Sequence, residues 1–259
     1  MSPSDLPLFE DDLHEPGVLQ ATTFHSPRDI PRAVVLCFFN DLLTALCDQG
    51  ELEKIYVLRS EIGVNPVYRF DFDGHSVAVV HPGVGAPLAA GFFEEIAALG
   101  GTSFVACGGA GALVDGLALG HVMVVNSAVR DEGTSFHYAA PSRIIEADAL
   151  GVNIMHVTLD DCEIEHFTGR TWTTDALFRE TRSRVQRRIA ENCSMVDMES
   201  SAFMAVARFR ELRFAQVLYA GDSLAGETWD SRHWMSATSV REQLFRAAAL
   251  AAVRLEQAP

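Results

Sequence analysis

Short apolar runs alternate with stretches of helical periodicity along most of the chain, beginning near Arg32. AVVLCFF (33–39) precedes an amphipathic segment from Asp41 to Gln49, and VAVVH (77–81) precedes another from Ala86 to Leu99. FVAC (104–107) and HVMVVN (121–126) are apolar enough for strands covered on both faces. This alternation predicts βαβ units around a largely buried sheet. The second half continues with the apolar run VNIMHVTL (152–159), a helical stretch from Thr174 to Ile189, and SMVDM (194–198) opening a helix that reaches Phe209. FAQVLYA (214–220) predicts a further buried strand, and an amphipathic helix from about Ser236 to Leu255 closes the domain. No repeat, low-complexity tract or linker interrupts this pattern, so residues 31–259 read as one α/β domain. Residues 1–30, rich in Pro, Ser and acid and without periodicity, read as a tail or an arm across a neighbouring subunit.

Composition narrows the class. The 48% hydrophobic content of this 259-residue chain supports a continuous core. There is no run of membrane-spanning length, and MSPSDLPLFEDDLHEP has neither the basic nor the apolar region of a signal peptide, so a cytoplasmic protein is expected. The five cysteines are odd in number and form no C-x-x-C pair, which points to buried free thiols and to no metal site. A net charge of −15 repels polyanions and disfavours nucleic acid and anionic membranes as partners. A small molecule fits better.

Ligands of open α/β sheets bind beyond the carboxyl ends of strands, and four such places are unusual. In HPGVGAP (81–87), Gly83 and Gly85 let the backbone approach a ligand, or simply make a tight turn. CGGAGAL (107–113) places Gly108 and Gly109 after an apolar strand, but lacks the G-x-G-x-x-G spacing of a dinucleotide site. In VDMESSA (196–202), Glu199 falls in the first turn of a helix, where the macrodipole favours an ionised carboxylate that can accept from sugar hydroxyls. Capping of that helix by Asp197 and Glu199 is the plainer reading. In YAGDSLAGETWDSRHW (219–234), Asp222 follows a buried strand among small residues, a setting for a general acid or for a turn-forming Asp.

Taken in order, GVGAP, CGGAGAL, AVRDEGTSFHY, TWTTDALFRET, VDMESSA and the strand ending at Asp222 resemble the nucleoside phosphorylase superfamily, which includes purine nucleoside and uridine phosphorylases and methylthioadenosine nucleosidase. The likeness runs from about residue 33 to 255. It implies a single α/β domain with a mixed central sheet flanked by helices, assembled as a homo-oligomer, and an enzyme that cleaves the N-glycosidic bond of a nucleoside without cofactor. By the same resemblance Glu199 would hold the ribose hydroxyls, Met198 would pack on the sugar, and Asp222 would help protonate a leaving purine at N7. Leu177 falls where many members stack a phenylalanine on the base, and Trp172 is the candidate substitute.

The chain departs from the phosphorylase pattern at its anion site. Phe39 and Leu43 stand where a glycine and an arginine are expected, and Ala106 stands at the second arginine position. Two explanations compete. Phosphate, as co-substrate, could be bound by the amides of Gly108 to Gly111 with Arg59, Arg69 or Arg130 as partner, within the subunit or across a subunit interface. Alternatively water replaces phosphate, with Asp41 near the position that activates it, unless Asp41 only caps its helix. The segments 128–138 and 171–181 favour phosphorolysis and offer Arg130, Glu132 and His137 as further site residues, or as exposed loop side chains. His81 reads as a structural histidine. Asp222 favours a purine over uridine. A non-catalytic nucleoside binder is the third possibility; its affinity would be insensitive to Asp222→Asn, whereas an enzyme would lose rate. Phe92, Phe93 and Phe136 suit either an interface or the core.

Overall fold

A computed structural model describes residues 6–10 and 12–259. Its strands are β1 (Ala33–Cys37), β2 (Leu52–Ser60), β3 (Gly63–Phe72), β4 (His75–Val80), β5 (Ser103–Ala112), β6 (Val122–Asp131), β7 (Ile144–Glu146), β8 (His166–Thr174), β9 (Cys193–Asp197) and β10 (Arg213–Ser223). Its helices are α1 (Ala21–Phe24), α2 (Asn40–Asp48), α3 (Ala86–Leu99), α4 (Ala149–Asp161), α5 (Arg182–Ala190), α6 (Ser200–Phe209) and α7 (Thr238–Gln257).

All ten strands belong to one mixed sheet. β1 pairs parallel with β4 and β5, and β5 with β10. β10 then meets β6 antiparallel, β6 runs parallel to β8, β8 to β9, and β9 returns antiparallel to β5. The circuit β5–β10–β6–β8–β9 therefore closes on itself, which removes the edges that such apolar strands would otherwise expose. The polar, half-exposed hairpin β2–β3 extends the open side next to β4. One face of the sheet packs on α3 and α6 through Phe92, Phe93, Ile96 and Phe203. The other packs on α2, α4 and α7 through Leu43, Leu46, Met155, Leu159 and Leu244.

Several expectations need correction. The run 152–159 is the middle of α4: its buried positions Gly151, Met155, Thr158 and Leu159 follow helical spacing, and the β-branched residues between them did not decide the element. SMVD is strand β9, and the helix opens only at Ser200. The glycine run lies inside β5. Phe92 and Phe93 are core residues at 2% and 0% exposure, whereas Phe136 meets Phe9 at 5.2 Å. Residues 21–28 pack beside α3 of the same chain, with His25 Nε2 3.0 Å from Glu95 and the Arg28 amide donating to the Leu99 carbonyl at 2.8 Å. No helix among the described residues is long and apolar enough to cross a membrane.

Candidate active site

Strands β5 and β9 run in opposite directions but pair only at their last residues, Gly111 with Val196 and Ala112 with Met195. The carboxyl ends of strands of both directions therefore meet at one point. A cavity of about 690 Å³ opens there, within the size range of small-molecule sites. Phe38 and Phe39 after β1, Gly108 and Gly109 in β5, Leu177 to Glu180 after β8, Asp197 to Glu199 after β9, and Asp222 at the end of β10 contribute to it.

At one side stands Glu199, 7% exposed. Its Oε1 accepts the Gly85 amide at 2.6 Å, and Gly85 presents that amide from a backbone with φ +93°, which favours glycine. Helix capping falls to Asp197 instead. That buried carboxylate accepts from the amides of Glu199 and Ser200 at 3.1 and 2.6 Å, from Thr171 and Thr173 hydroxyls at 3.1 and 2.9 Å, and from the Ser200 hydroxyl. The five donors fix it as structure and leave Glu199 free to face the cavity. Burial, with Asp197 as neighbour, pushes the Glu199 carboxyl up to about 8. The expectation that the helix terminus keeps Glu199 ionised does not hold, because desolvation outweighs the dipole. Met198, half-buried, lines the cavity beside it.

Across the cavity, Asp222 accepts the Trp229 indole N–H at 2.6 Å. Leu177 and Phe178, 49% and 91% exposed, form the neighbouring wall. Glu180 closes this end; burial, with Asp222 as neighbour, pushes its carboxyl up to about 7.

Other expected residues are placed elsewhere. Trp172 is fully buried, donates to Asp131 at 2.9 Å and stacks under Arg188, so it cannot face a base. Arg130 spends its fork on Ser135, Ala139, Ala140 and Ser142 at 2.7–3.0 Å and lies outside the cavity. Asp41 accepts from Arg241 at 2.6 Å and does not line the cavity, which removes it as a base for water. The Gly83 amide goes to His81 Nδ1 at 3.0 Å, so neither it nor the Gly85 amide is open to an anion. Arg59 and Arg69 sit on the outer hairpin, with Arg69 3.4 Å from Glu53. Glu132 is buried and accepts from Ser201 and the Ser135 amide at 2.8 and 2.9 Å, tying α6 to the loop after β6, while His137 is exposed. Phe39, Leu43 and Ala106 are core positions.

Glu180, Gln216, Trp229 and Arg241 line the cavity but were not singled out from the sequence. Gln216 is 2% exposed and its Oε1 has no partner among the described residues. Arg241 is the one cationic side chain lining the cavity among the described residues. It comes from α7 and is held by Asp41, Tyr219 and the rings of Phe39 and Trp234. Only Trp229 carried a signal, by its place in the polar stretch that follows Asp222.

The chain is similar in sequence and in fold to known proteins. The chain is 26% identical over 221 residues to a guanosine phosphorylase of Halorubrum lacusprofundi, covering 84% of this chain and 82% of that one. It is 29% identical over 161 residues to a uridine phosphorylase of Thermococcus kodakarensis, covering 59% and 54%. Among solved structures, the fold matches purine nucleoside phosphorylase from Toxoplasma gondii in complex with immucillin-H at TM-score 0.76 and 19% identity, over 88% of this chain and 93% of that one. Uridine phosphorylase from Vibrio fischeri matches at 0.72 and 22%, over 91% and 98%. The family model described as the phosphorylase superfamily covers residues 32–254, the whole span that builds the closed sheet and its cavity, and the chain belongs to that superfamily.

Proposed function

We propose that this chain is a nucleoside phosphorylase that cleaves the N-glycosidic bond of a purine nucleoside, giving free base and pentose 1-phosphate. The observation that carries this reading is the convergence of Glu199 and Asp222 on one cavity. As the bond breaks, the sugar gains oxocarbenium character and the base gains negative charge. Glu199, once ionised, accepts from the ribose hydroxyls and stabilises the first; Asp222 as general acid neutralises the second, a contribution of about 10²–10⁴-fold. Met198 packs on the sugar, and Leu177 flanks the base. The Glu180 carboxyl has no side-chain partner among the described residues and suits a purine edge carrying N–H donors, as in guanine or hypoxanthine. The likeness to a guanosine phosphorylase supports the same class.

Phosphorolysis is favoured over hydrolysis because Asp41, the candidate to activate water, is paired to Arg241 outside the cavity. Gly108 and Gly109 line the cavity with Arg241 and form the phosphate end of this reading. All five cysteines are free thiols, which suits the cytoplasm. Exposed Val18, Leu19, Phe24 and Val84 suit burial in a homo-oligomer.

The test is product chromatography after incubating the protein with inosine, guanosine, adenosine, methylthioadenosine or uridine, with and without phosphate. Base release from the purine nucleosides that requires phosphate and yields sugar 1-phosphate is expected. Release without phosphate would make the protein a nucleosidase, and no release from any substrate would make it a binder.

A further inference from the structure

The segment after Asp222 doubles back over the site. Ser223 and Asp230 exchange backbone hydrogen bonds at 2.8 and 3.0 Å, Arg182 donates to the Leu224 carbonyl at 2.6 Å, and Arg232 donates to the Leu117 carbonyl at 2.6 Å. This pinned excursion returns Trp229 to the carboxylate seven residues behind it. Trp229 is 63% exposed, so folding gains little from its ring, yet the ring lines the cavity and its N–H reaches Asp222 Oδ2 at 2.6 Å. That bond is the single side-chain hydrogen bond of either residue among those described. Of the other two indoles, Trp172 is buried, and Trp234, which also lines the cavity, lies against the Arg241 guanidinium and has no bond to Asp222 among the described residues.

We propose that Trp229 is the positioning residue of Asp222 and the aromatic wall on which the leaving base stacks. This rests on the nucleoside reading above. With Oδ2 held by the indole, Oδ1 is the oxygen left to pass a proton to the base. In the reaction the C1′–N9 bond breaks, its electron pair enters the purine, N7 takes the proton from Oδ1, and a phosphate oxygen bonds to C1′. Asp222 becomes anionic in that step, and a hydrogen bond to a charged acceptor is stronger than one to a neutral acceptor. The indole N–H thus favours the transition state over the ground state. The ring face works differently. It stacks on a flat heteroaromatic base opposite Leu177 and Phe178, a contact made equally in the bound ground state.

The two tasks separate in two variants. Trp229→Phe keeps a ring and loses the donor: kcat is expected to fall about 10- to 100-fold with nucleoside KM changed less than about twofold. Trp229→Ala loses both, and KM should rise about tenfold in addition. In a Trp234→Phe background, which removes the other indole of the cavity, free hypoxanthine or guanine should quench tryptophan fluorescence when Trp229 is present and not in Trp229→Phe, a readout that needs no turnover. Because the ring is exposed, both variants should melt within about 2 °C of the wild type, which shows that they are folded. Wild-type kcat and KM in both variants, or base-induced quenching that persists in Trp229→Phe in that background, overturns the proposal. A wild type that quenches with base but cleaves no nucleoside overturns the nucleoside reading instead.

Discussion

Glu199 and Asp197 are two residues apart and chemically alike, yet their surroundings divide the work. Asp197 has five donors and no freedom, whereas Glu199 has the Gly85 amide and a face toward the cavity. From the sequence either could have been the cap; the outcome depended on Thr171 and Thr173, distant in the chain and delivered by β8. The consequence for Glu199 is a proton held up to about pH 8. In the proposed reaction the ionised form is the better acceptor for the ribose hydroxyls, so kcat/KM for the nucleoside should climb with pH to a limb near 8. Stability should move the other way. The folded state binds a proton that the unfolded chain releases near 4.5, so this contribution is fully present below that value and is lost as pH rises through about 8. Glu199→Gln keeps the acceptor for Gly85 and cannot ionise. It should therefore melt at least about 3 °C above the wild type near pH 9, with the gap closing near pH 5, while activity collapses. Calorimetry at the two pH values checks this; a gap independent of pH would show that Glu199 does not carry the buried charge.

At the level of elements, what was legible followed burial on both faces. Strands β1, β4, β5, β6 and β10 and helices α3 and α7 were readable as apolar runs and amphipathic periods, because each either crosses the core or lies along it. The β2–β3 hairpin was not, since its polar face leaves no continuous apolar run. The β8 strand likewise gave no strand signal, being threonine-rich and polar over His166–Arg170, and α4 was masked by its Val and Ile. The site followed the same division: Glu199 and Asp222 end core elements and could be read, while Glu180 and Arg241 are brought in by pairing and packing that no local pattern encodes. Packing also decides what a glycine is worth. In α4, a Cβ on Gly151 would stand 2.1 Å from the Phe214 carbonyl oxygen of β10, a backbone atom that cannot turn aside. In α3, Gly91 has nothing within 4 Å of the same position. Gly151→Ala should cost about 3 kcal/mol and lower the melting temperature by about 6–12 °C. Gly91→Ala should stabilise by about 0.5–1 kcal/mol through helix propensity alone. Thermal melts of the two variants test the packing of α4 on β10, which would be wrong if both shifts had the same sign.

The whole molecule carries 20 basic and 35 acidic side chains, a net charge of −15, and its proposed co-substrate is an anion. The cavity does little to offset it: Arg241 is the one cationic side chain lining it among the described residues, and it is already paired to Asp41 at 2.6 Å. A phosphate ion approaching this surface meets a repulsive field whose range is set by the salt, about 30 Å at 0.01 M and about 8 Å at 0.15 M. A neutral nucleoside meets no such barrier. Raising sodium chloride from about 20 to about 200 mM should therefore increase kcat/KM for phosphate by about two- to fivefold, while kcat/KM for the nucleoside stays flat and serves as the internal control. This is opposite to the loss with salt expected when an exposed arginine cluster captures phosphate. Initial rates with each substrate varied in turn distinguish the two. A fall in the phosphate value with salt would mean that a local cation outweighs the molecule's net field, and Arg241 would be the first side chain to substitute.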